Sequence, residues 1–231
     1  MEQEKTRMTF REWIENYWYH YKWPTQVGGL FLFILLVCIV QCSTRIMPDV
    51  ILMYSGPKSL PFESISGLET AVTEVMEEDF NGDGTKYVQY LENVILLEDY
   101  SAEDYFTGES VEVSQAQQSE QVQNYVTHVV AGDAQIYLAS PEIFRELLDQ
   151  HALVALDTVY GTVPVEANDD YSFALGELGI HSLPGFCELP ADTLLCLRVT
   201  KTIGVRDARQ AENEHAWAES VFRSLVAYQP S

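Results

Sequence analysis

The chain has 231 residues, 47% of them hydrophobic, and a formal net charge of -22. That length suits one medium domain with appendages, and that apolar content is enough for a buried core. The acidic excess excludes nucleic acid as a partner, because a phosphate backbone is held by clustered Lys and Arg.

Residues 1–26 hold four basic and four acidic side chains, so the whole net charge falls on residues 27–231. From Trp23 to Thr44 no charged residue occurs, a run of 22. As a helix this run is about 33 Å long, against a hydrocarbon core of about 30 Å. Tyr17, Trp18, Tyr19, Tyr21 and Trp23 crowd its N-terminal edge, as an interfacial aromatic belt does. Lys5, Arg7, Arg11 and Lys22 precede the run, which by the positive-inside rule puts the N-terminus in the cytoplasm. A cleaved signal peptide has a shorter leader and an A-x-A site, and neither is found here. A lipoprotein needs a small residue before its cysteine, but Cys38 follows Val37 and Cys42 follows Gln41. The chain therefore divides into a cytoplasmic or interfacial segment (1–22), a transmembrane helix (23–44) in contact with membrane lipid, and an extracytoplasmic domain (45–231). The segment MTFREWIENYWYHYKW has the composition of a short helix lying on the inner membrane surface, or of a poorly ordered tail.

The outer domain opens with DVILMYSGP, a continuous apolar run closed by Ser-Gly-Pro, which predicts a strand buried on both faces of a parallel sheet. Ser66-Gly-Leu-Glu69 matches a capping box and predicts an amphipathic helix over 66–78. The DFNGDG loop is next, then YVQYLENVILL as a strand. Residues 98–120 are acidic and rich in Ser and Gln, an exposed excursion with a hairpin around Tyr105–Val113. Val122, Tyr125, Val126, Val129 and Val130 mark one face of a second helix, which Gly132 ends. AQIYLAS is the next buried strand. Ser140 caps a third helix with Pro141 in its first turn, and Ile143, Phe144, Leu147 and Leu148 form its inner face. ALVALD is a short strand or closing turn. YSFALGEL and TLLCLRVTK read as antiparallel strands, and residues 211–227 as a closing helix with Trp217, Ala218, Val221, Phe222 and Leu225 on one face. Alternating strands and helices predict an α/β fold, a mostly parallel sheet flanked by helices and preceded by one transmembrane helix. Cys187 and Cys196 are either bonded across a hairpin or two buried free thiols.

DVILMYSGP, VTHVVAGDAQIYLASPEIFRELL, LVALD and ADTLLCLRV, with a closing helix after them, resemble extracytoplasmic solute-binding proteins of the periplasmic type 2 class. The likeness covers residues 49–160 and, more loosely, 171–228. It implies one lobe of such a protein, since family members have two lobes and hold solute in the cleft between them.

In open α/β sheets, ligands bind beyond the carboxyl ends of the strands. Those ends are Tyr54, Ser55 and Gly56 on one strand and Ser140 after another, so these four are the candidate ligand-binding residues. The competing reading is that the serines only turn and cap the chain. Asp79, Asn81, Asp83 and Thr85 match positions 1, 3, 5 and 7 of an EF-hand loop, with Gly84 at position 6. Calcium is therefore the candidate cofactor, although position 12 falls on Tyr90 instead of the bidentate glutamate. The same residues are those that turns favour. No G-x-S-x-G, Walker, H-E-x-x-H or G-x-G-x-x-G motif occurs, which points away from catalysis. The sequence thus predicts a membrane-anchored, non-enzymatic binding module. Its partner is a small solute or a protein of a membrane complex.

Overall fold

The first of two structural units, Met1–Ile46, is built on a single helix, α1 (Phe10–Ser43). The computed structural model describes residues 9–43, 46–95, 115–200 and 208–230. Residues 98–114 of the expected 98–120 excursion, its hairpin included, lie outside these residues, and residues 115–120 are helical instead. α1 has 34 residues, which is about 51 Å at 1.5 Å per residue. It contains a stretch, Trp13–Gln41, long and apolar enough to cross a membrane. The aromatic segment is not a separate surface helix, as the sequence suggested, but the first turns of this same helix. Pro24 removes one intrahelical hydrogen bond without ending the helix. Across it, the Tyr17 and Thr25 hydroxyls lie 2.8 Å apart. Phe10, Trp13, Tyr17 and Tyr21 stack along one side, with successive ring centroids 6.3, 5.8 and 5.3 Å apart.

The second unit, Met47–Ser231, is a five-stranded sheet covered by helices on both faces. Its strands are β1 (Val50–Gly56), β2 (Val88–Val94), β3 (Ile136–Ala139), β4 (Ser172–Ala174) and β5 (Leu194–Leu197), in the order β2-β1-β3-β5-β4. β2, β1 and β3 are parallel, while β5 and β4 are antiparallel to their neighbours. The central position of β1 follows from its sequence, since only a strand covered above and below keeps VILMYSG almost wholly out of water. The chain steps from β1 outward to β2 through α2 (Phe62–Val75), then back across β1 to β3 through α3 (Gln115–Ala131). Two right-handed crossovers in opposite directions put these helices on opposite faces.

Alternation along the strands sorts the core. Leu52, Tyr54, Ile136, Leu138, Leu195 and Leu197 face α2 and the last helix, α6 (Ala208–Ala227). From α6, Ala218, Val221, Phe222 and Leu225 are buried there. Trp217, grouped with them on one face in the sequence, is only half-buried and stacks on Phe80 at 6.0 Å. Met53, Tyr137, Ala139, Leu194 and Cys196 face α3 and α4 (Pro141–Asp149). Removing one of the large residues, such as Phe222→Ala, costs about 3–5 kcal/mol.

Several boundaries differ from expectation. α2 begins at Phe62 after Pro61, so Ser66 lies in its second turn and caps nothing. Glu69, the supposed partner in the capping box, accepts a hydrogen bond from the Tyr90 amide of β2 at 3.0 Å. α4 starts as predicted, with Ser140 at the N-cap and Pro141 in the first turn. ALVALD makes one bridge, Leu153 to Arg198, and then the helical turn α5 (Leu156–Tyr160). Cys187 and Cys196 form no disulfide, and only Cys196 is buried, because Cys187 sits on an exposed 3₁₀ turn. Gly132 does end α3, at φ 74°, and for a second reason besides its backbone. The buried Arg198 guanidinium occupies the space a Cβ would take there, and its Nη1 donates to the Gly132 carbonyl at 3.1 Å.

Candidate functional site

The carboxyl edge of the parallel strands is polar and closed. Ser55 of β1 stands opposite Asn93 of β2 and Ala139 of β3. The Ser140 amide donates to the Ser55 carbonyl at 2.9 Å, and Asn93 Nδ2 lies 3.5 Å from Ser55 Oγ. Ser140 Oγ accepts from the Ile143 amide at 3.5 Å, so it is spent as a helix cap. Ser55, Asn93 and Ser140 are all buried. Asn93 is the member that sequence reasoning missed; pairing YLENV with MYSG in parallel register would have found it.

Tyr54 belongs to the opposite face and does not join this cluster. Its hydroxyl accepts from the Lys58 amide at 3.1 Å and so holds the loop after β1. Gly56 lets the ring pass, since a Cβ there would meet the Tyr54 hydroxyl at 2.7 Å. Glu92 completes the hold, accepting from Ser59 Oγ and from the Leu60 amide, each at 2.8 Å. Nearby, burial first, with Glu92 and Tyr54 adding to it, drives the Tyr90 phenol well above the ordinary tyrosine range. The structure therefore brings Ser55 and Ser140 together, but it uses Tyr54 and Gly56 to build a loop.

The DFNGDG loop is held by its own side chains. Asp79 accepts from the amides of Gly82 at 2.9 Å and Gly84 at 2.7 Å. Asn81 Oδ1 accepts from Asp83, and Asp83 Oδ1 from Thr85, both at 2.9 Å. Gly82 and Gly84 have φ of 72° and 90°, which their lack of a Cβ permits. Beneath the loop lies Asp49, 2% exposed, which the sequence did not single out. Its Oδ1 accepts from Phe80 at 3.1 Å and Asn81 at 2.9 Å, and its Oδ2 from Tyr87 at 2.9 Å. Among the described residues, no group of three or more His, Cys, Asp or Glu is arranged to hold a metal ion.

The open clefts lie elsewhere. One, about 430 Å³, runs between α2 and α6 over Ala71, Val75, Leu183 and Tyr228, with Glu74 and Glu77 among its walls. A small cavity of about 30 Å³ opens beside Arg198, Thr200 and His215. Burial lowers the His215 pKa below the usual imidazole value, against a smaller opposing pull from Glu219. Neither space is lined by Tyr54, Ser55, Gly56 or Ser140.

The surface holds an apolar feature on α3. Of the five residues that mark one face of this helix in the sequence, only Tyr125 and Val129 are buried. Val122, Val126 and Val130 are 40%, 46% and 60% exposed. Spaced four apart, they form a stripe along the outside of the helix.

No protein-family profile matches the chain, and no curated protein or solved structure matches it.

Proposed function

We propose that this protein is a single-pass, N-in membrane protein whose extracytoplasmic α/β domain works by binding a protein partner, as a component of a membrane complex, and not by catalysis. The observation that carries this reading is the Val122–Val126–Val130 stripe. Apolar side chains aligned on one helix face and left 40–60% exposed form a patch of the kind a partner covers. The α1 stretch Trp13–Gln41 supports the anchor, and the cation-rich side of that stretch supports the orientation.

A second reading, a small solute held at Ser55, Asn93 and Ser140, draws support from three buried polar side chains at the carboxyl edge of the sheet. It carries forward the resemblance to a solute-binding lobe. A solute there would have one protein wall, which leaves much of it in water.

One comparison tests both. Full-length protein is isolated from its own membranes as wild type and with Val122, Val126 and Val130 all changed to Ser. The first reading expects a companion protein that the triple variant loses while its melting temperature stays unchanged. Identical companions, together with a solute that raises the melting temperature of wild type but not of Asn93→Leu, would favour the second.

A further inference from the structure

We infer that Arg198 and the cavity beside it form a site for a small monovalent anion, chloride or the carboxylate of a short organic acid. Arg198 directly follows β5, and its amide donates to the Gln135 carbonyl at 2.9 Å. Two residues beyond Cys196, its side chain falls on the α3 face of the sheet and reaches the end of that helix. It is 7% exposed, the one buried cation among the described residues. A guanidinium stays charged at physiological pH and carries five N–H donors. Nη1 donates to the Gly132 carbonyl at 3.1 Å, while Nη2 is shut off from solvent and has no hydrogen-bond partner. Among the described residues no carboxylate pairs with Arg198, in a chain whose net charge is -22. Asp49, the buried charge at the start of β1, shows the contrast, since three amides compensate it. A buried charge is costly unless it is both paired and hydrogen-bonded, and one carbonyl does not meet that need.

The cavity is where a counter-charge fits. Arg198 forms part of its wall, with Gln135 and Thr200 on the sheet side and Ala211, Glu214 and His215 from α6. Burial lowers the His215 pKa, so at neutral pH that ring is uncharged and Arg198 is the cation an incoming ion meets. Glu214 narrows the choice of ion. Its carboxylate accepts from Gln210 Nε2 at 2.9 Å, and it repels a multiply charged anion more than a single charge. Size narrows it further. One water needs about 10–15 Å³, so a cavity of about 30 Å³ takes about two water-sized particles. A chloride ion or a planar carboxylate group fits that space, and a tetrahedral oxyanion exceeds it. Water alone there would satisfy Nη2 and leave the charge uncompensated.

The test uses the full chain in detergent, with sodium chloride and sodium formate as probes. Sodium methanesulfonate at equal ionic strength is the reference, because it screens the acidic surface equally and its tetrahedral head is too large for the cavity. At about 0.3 M, either probe raises the melting temperature of wild type by about 3–6 °C over the reference. Ala211→Leu fills the cavity and leaves Arg198 in place, and it abolishes that difference. Arg198→Met, which removes the charge at similar length, abolishes it too. A shift with one probe alone upholds the site and makes the ligand the halide or the carboxylate accordingly. Equal melting temperatures of wild type in all three salts overturn the inference and leave the cavity to water. A shift that survives undiminished in Ala211→Leu also overturns it, because the ion then acts elsewhere, and this variant decides even where Arg198→Met does not fold.

Discussion

Asp49 shows how much one side chain can hold in this domain. Its buried carboxylate accepts three backbone amides and ties the start of β1 to the loop before β2. Asp49→Ala leaves three amides short of an acceptor and lowers stability by about 3–5 kcal/mol in urea denaturation. Asp49→Asn, which keeps one acceptor oxygen, loses about half of that. Asp79 does similar work at the surface, where its two oxygens hold Gly82 and Gly84. Asp79→Ala costs about 1–3 kcal/mol in chelator. A loss that grows with added calcium makes the ion a further staple of the loop, and an equal loss in both leaves only the turn. His215 gives the domain a pH dependence. Its folded pKa is lowered, so the unfolded chain binds the proton more readily. Its contribution is fully present above the ordinary imidazole value of about 6.5 and is lost as pH falls through the window below it. Melting curves of His215→Gln flatten in that window, and an unchanged pH profile would remove His215 as the cause.

At the scale of elements, patterns that rest on continuous burial were readable, and those that rest on a choice between partners were not. VILMYSG and IYLA are buried along their length and became strands, and Ser140-Pro141 started α4. Ser66 and Glu69 had the right spacing for a capping box. The chain instead used Glu69 on an edge-strand amide, a contact 21 residues away that no local pattern encodes. α3 was readable as a helix but not in its facing, because five apolar residues on adjoining rows do not tell which row the sheet takes. Ser55 and Ser140 were placed correctly at one edge, but Asn93 needed the strand register and Asp49 a non-local loop. The end of α4 hid another feature. His151 comes just after that helix with φ 52°, a conformation that costs a residue with a Cβ about 1–2 kcal/mol. His151→Gly therefore stabilises the domain by up to about 1 kcal/mol, seen as a higher urea midpoint. A lower midpoint would mean that the imidazole makes a contact that offsets the strain.

For the whole molecule, charge and apolar surface act in opposite directions. The acidic charge makes the domain surface self-repelling, and the α3 stripe is apolar surface left exposed on it. The central claim is that the α3 stripe is covered in the native membrane, outside the cell. It is tested most directly by labelling intact cells with a membrane-impermeant maleimide, comparing Val126→Cys with Val165→Cys in the chain lacking Cys38, Cys42 and Cys187. The account predicts rapid labelling of Val165→Cys and slow labelling of Val126→Cys, with the two rates converging in dilute detergent. Equal rapid labelling of both in intact cells would contradict the covered surface, and labelling of neither until the cells are opened would contradict the orientation.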